Sequence, residues 1–182
     1  FWIPSVKCED HTTPKSRCDN HNKFDPAVSS ANGGEYAPFK EGKKLSIQYL
    51  SGNVEGLLAT DLIECGPLHV SKQVFGVADL IEVPLLDSVV WDGIVGLAYP
   101  NPSLTEQGIS PLFDNIMKQH LVEHNVFAYY LGINGGAVTF GGVDPKYIGE
   151  TMESSVALWQ RCTHLKIRAA RPDNVPGGAP ET

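Results

Sequence analysis

The sequence predicts an all-β fold with one or two short helices, and three observations carry that prediction. A chain of 182 residues with 42% hydrophobic content is long and apolar enough for one domain with its own core. Its 18 glycines and 13 prolines punctuate it often, and apolar residues recur at helical spacing in few places. Elsewhere the apolar residues form short runs closed by glycine, which is how strands and turns are written.

Residues 45–50 and 57–64, bounded by Gly42, Gly52, Gly56 and Gly66, read as two strands of a hairpin, and 68–77 as a third strand. The stretch 91–100, WDGIVGLAYP, demands a special backbone. Ile94, Val95 and Leu97 call for burial on both faces of a sheet, while Gly93 and Gly96 permit positive φ or the close approach of another segment. Ser110-Pro111 sets a capping hydroxyl before a proline at the first helical position, and Leu112, Phe113, Ile116 and Met117 follow at helical spacing. Residues 126–133 and 137–140, joined through Asn134-Gly135-Gly136, read as a hairpin whose turn needs positive φ. From Arg161 onward basic residues accumulate, and 172–180 is rich in Pro and Gly without apolar periodicity. Residues 1–160 are therefore read as the folded unit, and 161–182 as a basic Pro/Gly-rich tail that is disordered or foreign to the fold.

The formal net charge of −7 repels phosphate backbones and anionic lipid, which excludes nucleic acid and membrane surfaces as expected partners. No apolar run approaches the ~20 residues that cross a bilayer, because Asp92 interrupts the longest candidate. No cofactor and no metal is expected. Cysteines at 8, 18, 65 and 162 allow three pairings. Proximity favours Cys8 with Cys18, a bridge that would stabilise by roughly 2–3 kcal/mol and imply an oxidising compartment. Two free thiols are the alternative there, and Cys65 and Cys162 are left unpaired.

In this order, several strings resemble the N-terminal lobe of the pepsin-like aspartic protease family. WDGIVGLAYP resembles the sheet-crossing segment that supports the active-site loop, and Phe1-Trp2-Ile3-Pro4-Ser5 the residues directly after the first Asp-Thr-Gly-Ser. Cys8 and Cys18, followed by Asn20-His21-Asn22-Lys23-Phe24-Asp25-Pro26, resemble the small disulfide loop and the entry to the next strand, with a longer insert between the cysteines than the family usually has. Ile47-Gln48-Tyr49, Ser51-Gly52 and Gly56 resemble the flap hairpin. Pro111-Leu112-Phe113-Asp114-Asn115 resembles the helix after the crossing segment, and Phe140-Gly141-Gly142-Val143-Asp144-Pro145 the strand and turn near the end of the lobe. The resemblance covers residues 1 to about 150.

It implies aspartic endopeptidase chemistry, in which two aspartates share a proton across a water molecule. No Asp-Thr-Gly or Asp-Ser-Gly occurs in the sequence. The expectation is a partial lobe that starts just past the first motif and stops before the second, contains no catalytic residue, and is inert by itself. Its implied partners are a peptide or protein substrate and the second lobe of a full-length enzyme, in a secreted or endomembrane, vesicular setting.

The resemblance also assigns the candidate site. Tyr49 would cover a bound peptide from the flap, Trp2 would supply the indole N–H that orients its hydroxyl, and Ser51 and Gly52 would shape the tip. Leu50 stands where the family usually has glycine, adding bulk at that tip. Leu85, Trp91 and Ile94 resemble the pocket for the residue before the scissile bond and would suit Phe, Leu or Met, with simple core packing as the other reading. Two competing functions follow from other features. One is a non-catalytic peptide-binding or inhibitory module of the same fold, favoured by Leu50 and the tail. The other, remote, is a zinc peptidase through His120, Glu123 and His124, which fit H-x-x-E-H but need one continuous helix and a third ligand.

Overall fold

The computed structural model describes residues 1–9, 17–132 and 135–147. Its framework is the long hairpin of β4 (Gly52–Cys65) and β5 (Leu68–Ile81), closed at Gly66, whose φ of 59° is one that glycine adopts without cost. Six consecutive β5 residues, Gln73 to Ala78, are buried, so this strand is covered on both faces. β1 (Trp2–Glu9) lies parallel to β5 on one side, with Trp2 opposite Gly76. On the other side of β4, β3 (Lys44–Tyr49) pairs antiparallel near its start and β2 (Ala37–Pro38) further along, giving a five-stranded sheet. A second, two-stranded sheet is the hairpin β6 (Phe127–Gly132) and β7 (Gly135–Phe140). Gly135 has the positive φ expected of that turn, while Ile133 and Asn134 lie outside the described residues.

Three short helices complete the all-β framework: α1 (Pro26–Ala31), α2 (Pro102–Glu106) and α3 (Leu112–Lys118). The first two open alike, with Asp25 or Asn101 accepting from a backbone N–H ahead of a proline. The expected Ser110 cap of α3 is not formed. The residue before that helix is Pro111, which has no capping side chain, and the Ser110 hydroxyl instead accepts from Lys118 Nζ at 2.8 Å. Its carbonyl takes Gln73 Nε2 at 3.0 Å, so the chain direction into α3 is set by β5 and not by a local cap.

The core has two apolar clusters. One gathers Phe24, Phe75, Val95, Leu112 and Ile116, with Phe1 stacked on Phe75 at 5.2 Å and Phe24 edge-on to the same ring at 5.3 Å. The other gathers Trp2, the Cys8–Cys18 disulfide, Val54, Ile81, Val83 and Leu86. The crossing segment serves both. Ile94 packs against the second cluster and Val95 lies in the first, which is the two-sided burial its sequence calls for. Gly93 is indispensable there, since a Cβ would sit 2.2 Å from the Trp2 carbonyl oxygen. Gly96 differs, with nothing within 4 Å of a built Cβ.

The zinc pattern finds no scaffold. α3 ends at Lys118, His120 turns the chain with φ of 54°, and Glu123 and His124 lie on bends beyond it, so the two imidazoles share no helix face. The tail 161–182, Cys162 and most of the insert between the paired cysteines lie outside the described residues.

Candidate flap and pocket wall

The hairpin β3–β4 turns through Leu50 and Ser51, both exposed, with Tyr49 paired to Gly52 across the turn. Gln48 Nε2 donates to the carbonyls of Tyr49 and Gly52, each at 3.2 Å, and so ties the two arms together. Gly52 has φ of 155°, and a Cβ would fall 1.7 Å from the Glu82 carbonyl oxygen, so only glycine fits against the end of β5. One residue on, Glu82 N–H donates to the Asn53 carbonyl at 2.9 Å. The turn end of the hairpin is thus pinned to the end of β5, and the fully exposed Leu50 projects from it.

Tyr49 lies partly buried against the second cluster, and its hydroxyl accepts from Trp2 Nε1 at 2.9 Å. Trp2 is 1% exposed and held three ways: by the ladder to Gly76, by its N–H donating to the Ile94 carbonyl at 3.1 Å, and by its carbonyl accepting from Ile94 N–H at 3.2 Å. A phenol bonded to so fixed an indole has its position set by β1 and the crossing segment, not by the hairpin alone. Because the hydroxyl accepts from the indole, its own proton points away from Trp2.

Trp91 and Ile94 pack against the same cluster as Tyr49. The structure therefore brings Trp2, Tyr49, Trp91 and Ile94 together. Leu85 is more exposed than they are. It sits in a 3₁₀ turn, Pro84–Asp87, and is 52% exposed while its neighbour Leu86 fills the core. Chemically the arrangement offers an apolar wall and one oriented hydroxyl. Among the described residues there is no group of three or more His, Cys, Asp or Glu able to hold a metal ion.

A polar cluster escaped the sequence reading. The Asp92 carboxylate accepts from the Asn22 backbone N–H and from Asn22 Nδ2, both at 2.9 Å, and lies 3.4 Å from His21 Nδ1. Buried His21 donates through Nε2 to the Leu86 carbonyl at 3.0 Å. Together these lock the crossing segment to the chain leaving the disulfide loop, and Arg17 Nε adds a 3.2 Å contact to Asp87. The one available signal was a lone carboxylate inside an apolar run, but its partners are 70 residues away. Cys8 and Cys18 are bridged, with Cα atoms 5.9 Å apart. Cys65 is free and half-buried, and burial pushes its thiol pKa up. No helix among the described residues is long and apolar enough to cross a membrane.

Comparison with known proteins agrees with this geometry. A family model described as eukaryotic aspartyl protease matches residues 1–169. Pepsin A of Rhinolophus ferrumequinum is 36% identical over 167 residues, covering 88% of this chain and 40% of that protein. Pepsin A of Gallus gallus is 37% identical over 150 residues, covering 81% and 37%. Cathepsin D of Chionodraco hamatus is 38% identical over 152 residues, covering 81% and 36%. The chain thus spans about two fifths of the length of these relatives.

Proposed function

The chain belongs to the eukaryotic aspartyl protease family, and on that premise we propose that it is the flap-bearing N-terminal lobe of an aspartic endopeptidase. A peptide lies beneath the β3–β4 hairpin. Tyr49 covers it, Trp2 holds the Tyr49 hydroxyl in place, and Ser51 and Gly52 shape the tip. Trp91 and Ile94, with Leu85 at the margin, receive an apolar side chain such as Phe, Leu or Met. The observation that carries this reading is the 2.9 Å bond from Trp2 Nε1 to the Tyr49 hydroxyl, which couples the hairpin to the strand bearing Trp2 across 47 residues of sequence.

In the reaction, one carboxylate takes a proton from the attacking water while the other, protonated, polarises the peptide carbonyl. The sequence holds neither Asp-Thr-Gly nor Asp-Ser-Gly, so this chain supplies cover and pocket wall, and the two aspartates belong to flanking sequence and a second lobe. The disulfide supports a secreted or endomembrane, vesicular location.

Leu50 favours a second reading, a non-catalytic lobe that binds peptide without cleaving it, since a bulky, fully exposed side chain stands at the tip where the family usually has glycine. Two measurements on the purified chain test both. Incubation with a fluorogenic peptide carrying Phe and Leu about its centre should give no turnover, and pepstatin-sensitive turnover would overturn the assignment of the aspartates elsewhere. Hydrogen exchange with the same peptide at saturation should slow amides at 47–53. Unchanged exchange there would sink the flap assignment in either reading.

A further inference from the structure

The turn after α1 carries an Asn-Gly pair, Asn32-Gly33, whose surroundings differ from those of the other described asparagines. Asn32 is exposed and ends a six-residue helix that buries none of its residues, so opening this end costs little. Gly33 has φ of 83° and nothing within 4 Å of a built Cβ. Its N–H donates no hydrogen bond among the described residues, whereas that of Gly34 donates to the Ser29 carbonyl at 2.9 Å. No other described asparagine precedes a glycine. Asn22, Asn53 and Asn115 give their side-chain amides to Asp92, Glu55 and Gln73. Asn101 precedes a proline, which has no N–H. Asn20 and Asn125 precede residues whose N–H groups donate to Cys18 and His124.

From this contrast we infer that Asn32 is a site of spontaneous backbone modification, at which the chain deamidates and forms isoaspartate. The Gly33 backbone nitrogen attacks Asn32 Cγ, the new C–N bond closes a succinimide, and the Cγ–Nδ2 bond breaks to release ammonia. Water then opens the ring at either carbonyl, leaving aspartate or isoaspartate, with no oxidant or reductant involved. What restrains the step is the bond from Asn32 Nδ2 to the Val28 carbonyl at 2.9 Å and a ψ of 21° that must rotate. Both give way when the last turn of α1 frays.

Modification changes what the turn can do. A carboxylate cannot donate to the Val28 carbonyl, and it sets negative charge against the negative end of α1. Isoaspartate also lengthens the main chain ahead of Glu35, whose N–H donates to buried Asp61 at 2.6 Å and whose carboxylate accepts from Lys72 N–H at 3.1 Å. The lesion therefore loosens a clasp between the turn and the main sheet.

The test is ageing of the purified full chain in mildly alkaline buffer, followed by trypsin, mass spectrometry and isoaspartyl methyltransferase labelling. Trypsin places Asn32 in peptide 24–40 and the other Asn-Gly pair, Asn134-Gly135, in peptide 119–146, so the two are read separately. The expected result is isoaspartate at 32 ahead of Asn20, Asn22, Asn53, Asn101, Asn115 and Asn125, with the label on peptide 24–40 lost in Asn32→Gln. An Asn32 that stays intact while the synthetic peptide 24–40 converts would overturn the inference, as would an undiminished label in Asn32→Gln.

Discussion

Replacing Gly93 by alanine should unseat Trp2, and the size of the effect follows from the contacts. The added Cβ falls 2.2 Å from the Trp2 carbonyl oxygen and 3.2 Å from Ile3 Cα, both backbone atoms that no side-chain rotation can move aside. β1 must retreat from the crossing segment, which strains the reciprocal bonds between Trp2 and Ile94 at 3.1 and 3.2 Å. Losing two such bonds costs about 1 kcal/mol each, and overpacking adds about 1–3 kcal/mol. Alanine lowers the entropy of the unfolded chain and returns about 0.4–1 kcal/mol. The net expectation is a loss of about 3 kcal/mol, which at a urea dependence of about 2 kcal/mol per molar moves the midpoint down by roughly 1.5 M. Gly96→Ala, with open space around its Cβ, is the matched control and should stay within about 1 kcal/mol of the parent. Urea unfolding followed by tryptophan fluorescence measures both. A Gly93→Ala midpoint close to the parent's, or a larger loss in Gly96→Ala than in Gly93→Ala, would refute the reasoning.

Three further predictions concern the flap, the disulfide and the free thiol. Tyr49→Phe leaves the buried Trp2 indole N–H without its acceptor and should cost about 1–3 kcal/mol; in a Trp2→Phe background the same change should cost clearly less, and equal losses in both backgrounds would deny the coupling. Reducing Cys8–Cys18, separated by 10 residues, should lower stability by about 2–3 kcal/mol, read as a fall in thermal midpoint that the Cys8→Ser, Cys18→Ser double variant reproduces. Cys65, its pKa raised by burial, should react with iodoacetamide more slowly in the native chain than in urea, and equal rates would contradict its burial. The sign of its effect on stability follows: the unfolded thiol ionises first, so stability is flat below its pKa and falls as pH rises from that value to the raised folded one. Cys65→Ser should flatten that alkaline slope.

The sequence told most where the signal was local. The runs 45–50, 57–64 and 68–77 correspond to β3, β4 and β5, but β4 reaches back to Gly52 because the close approach of Glu82, a long-range fact, holds the start of that strand in the sheet. α1 and α2 were missed because six and five residues are too few to show a period, although Asp25-Pro26 and Asn101-Pro102 each spelled a cap followed by proline. Ser110-Pro111 spelled much the same, yet there the serine side chain turned to Lys118. The pairing of β1 with β5 joins residues more than 70 positions apart, and neither strand names its partner. At the site, Trp2, Tyr49, Trp91 and Ile94 were named through family resemblance, not through any pattern of their own. Leu85 was named with them, and the 3₁₀ turn leaves it half-exposed beside buried Leu86. The contacts of Asp92 with His21 and Asn22 were invisible for the same reason as the β1 pairing: each residue is ordinary until the fold brings them together.

The most direct test of the account is the coding sequence on both sides of this segment, read from the full-length transcript. If the Trp2–Tyr49 pair positions the flap of an aspartic endopeptidase, the codons immediately before Phe1 spell Asp-Thr-Gly-Ser in frame, and a second Asp-Thr-Gly or Asp-Ser-Gly lies downstream. An open frame without either motif would contradict the endopeptidase reading and leave a lobe that can bind peptide but cannot cut it.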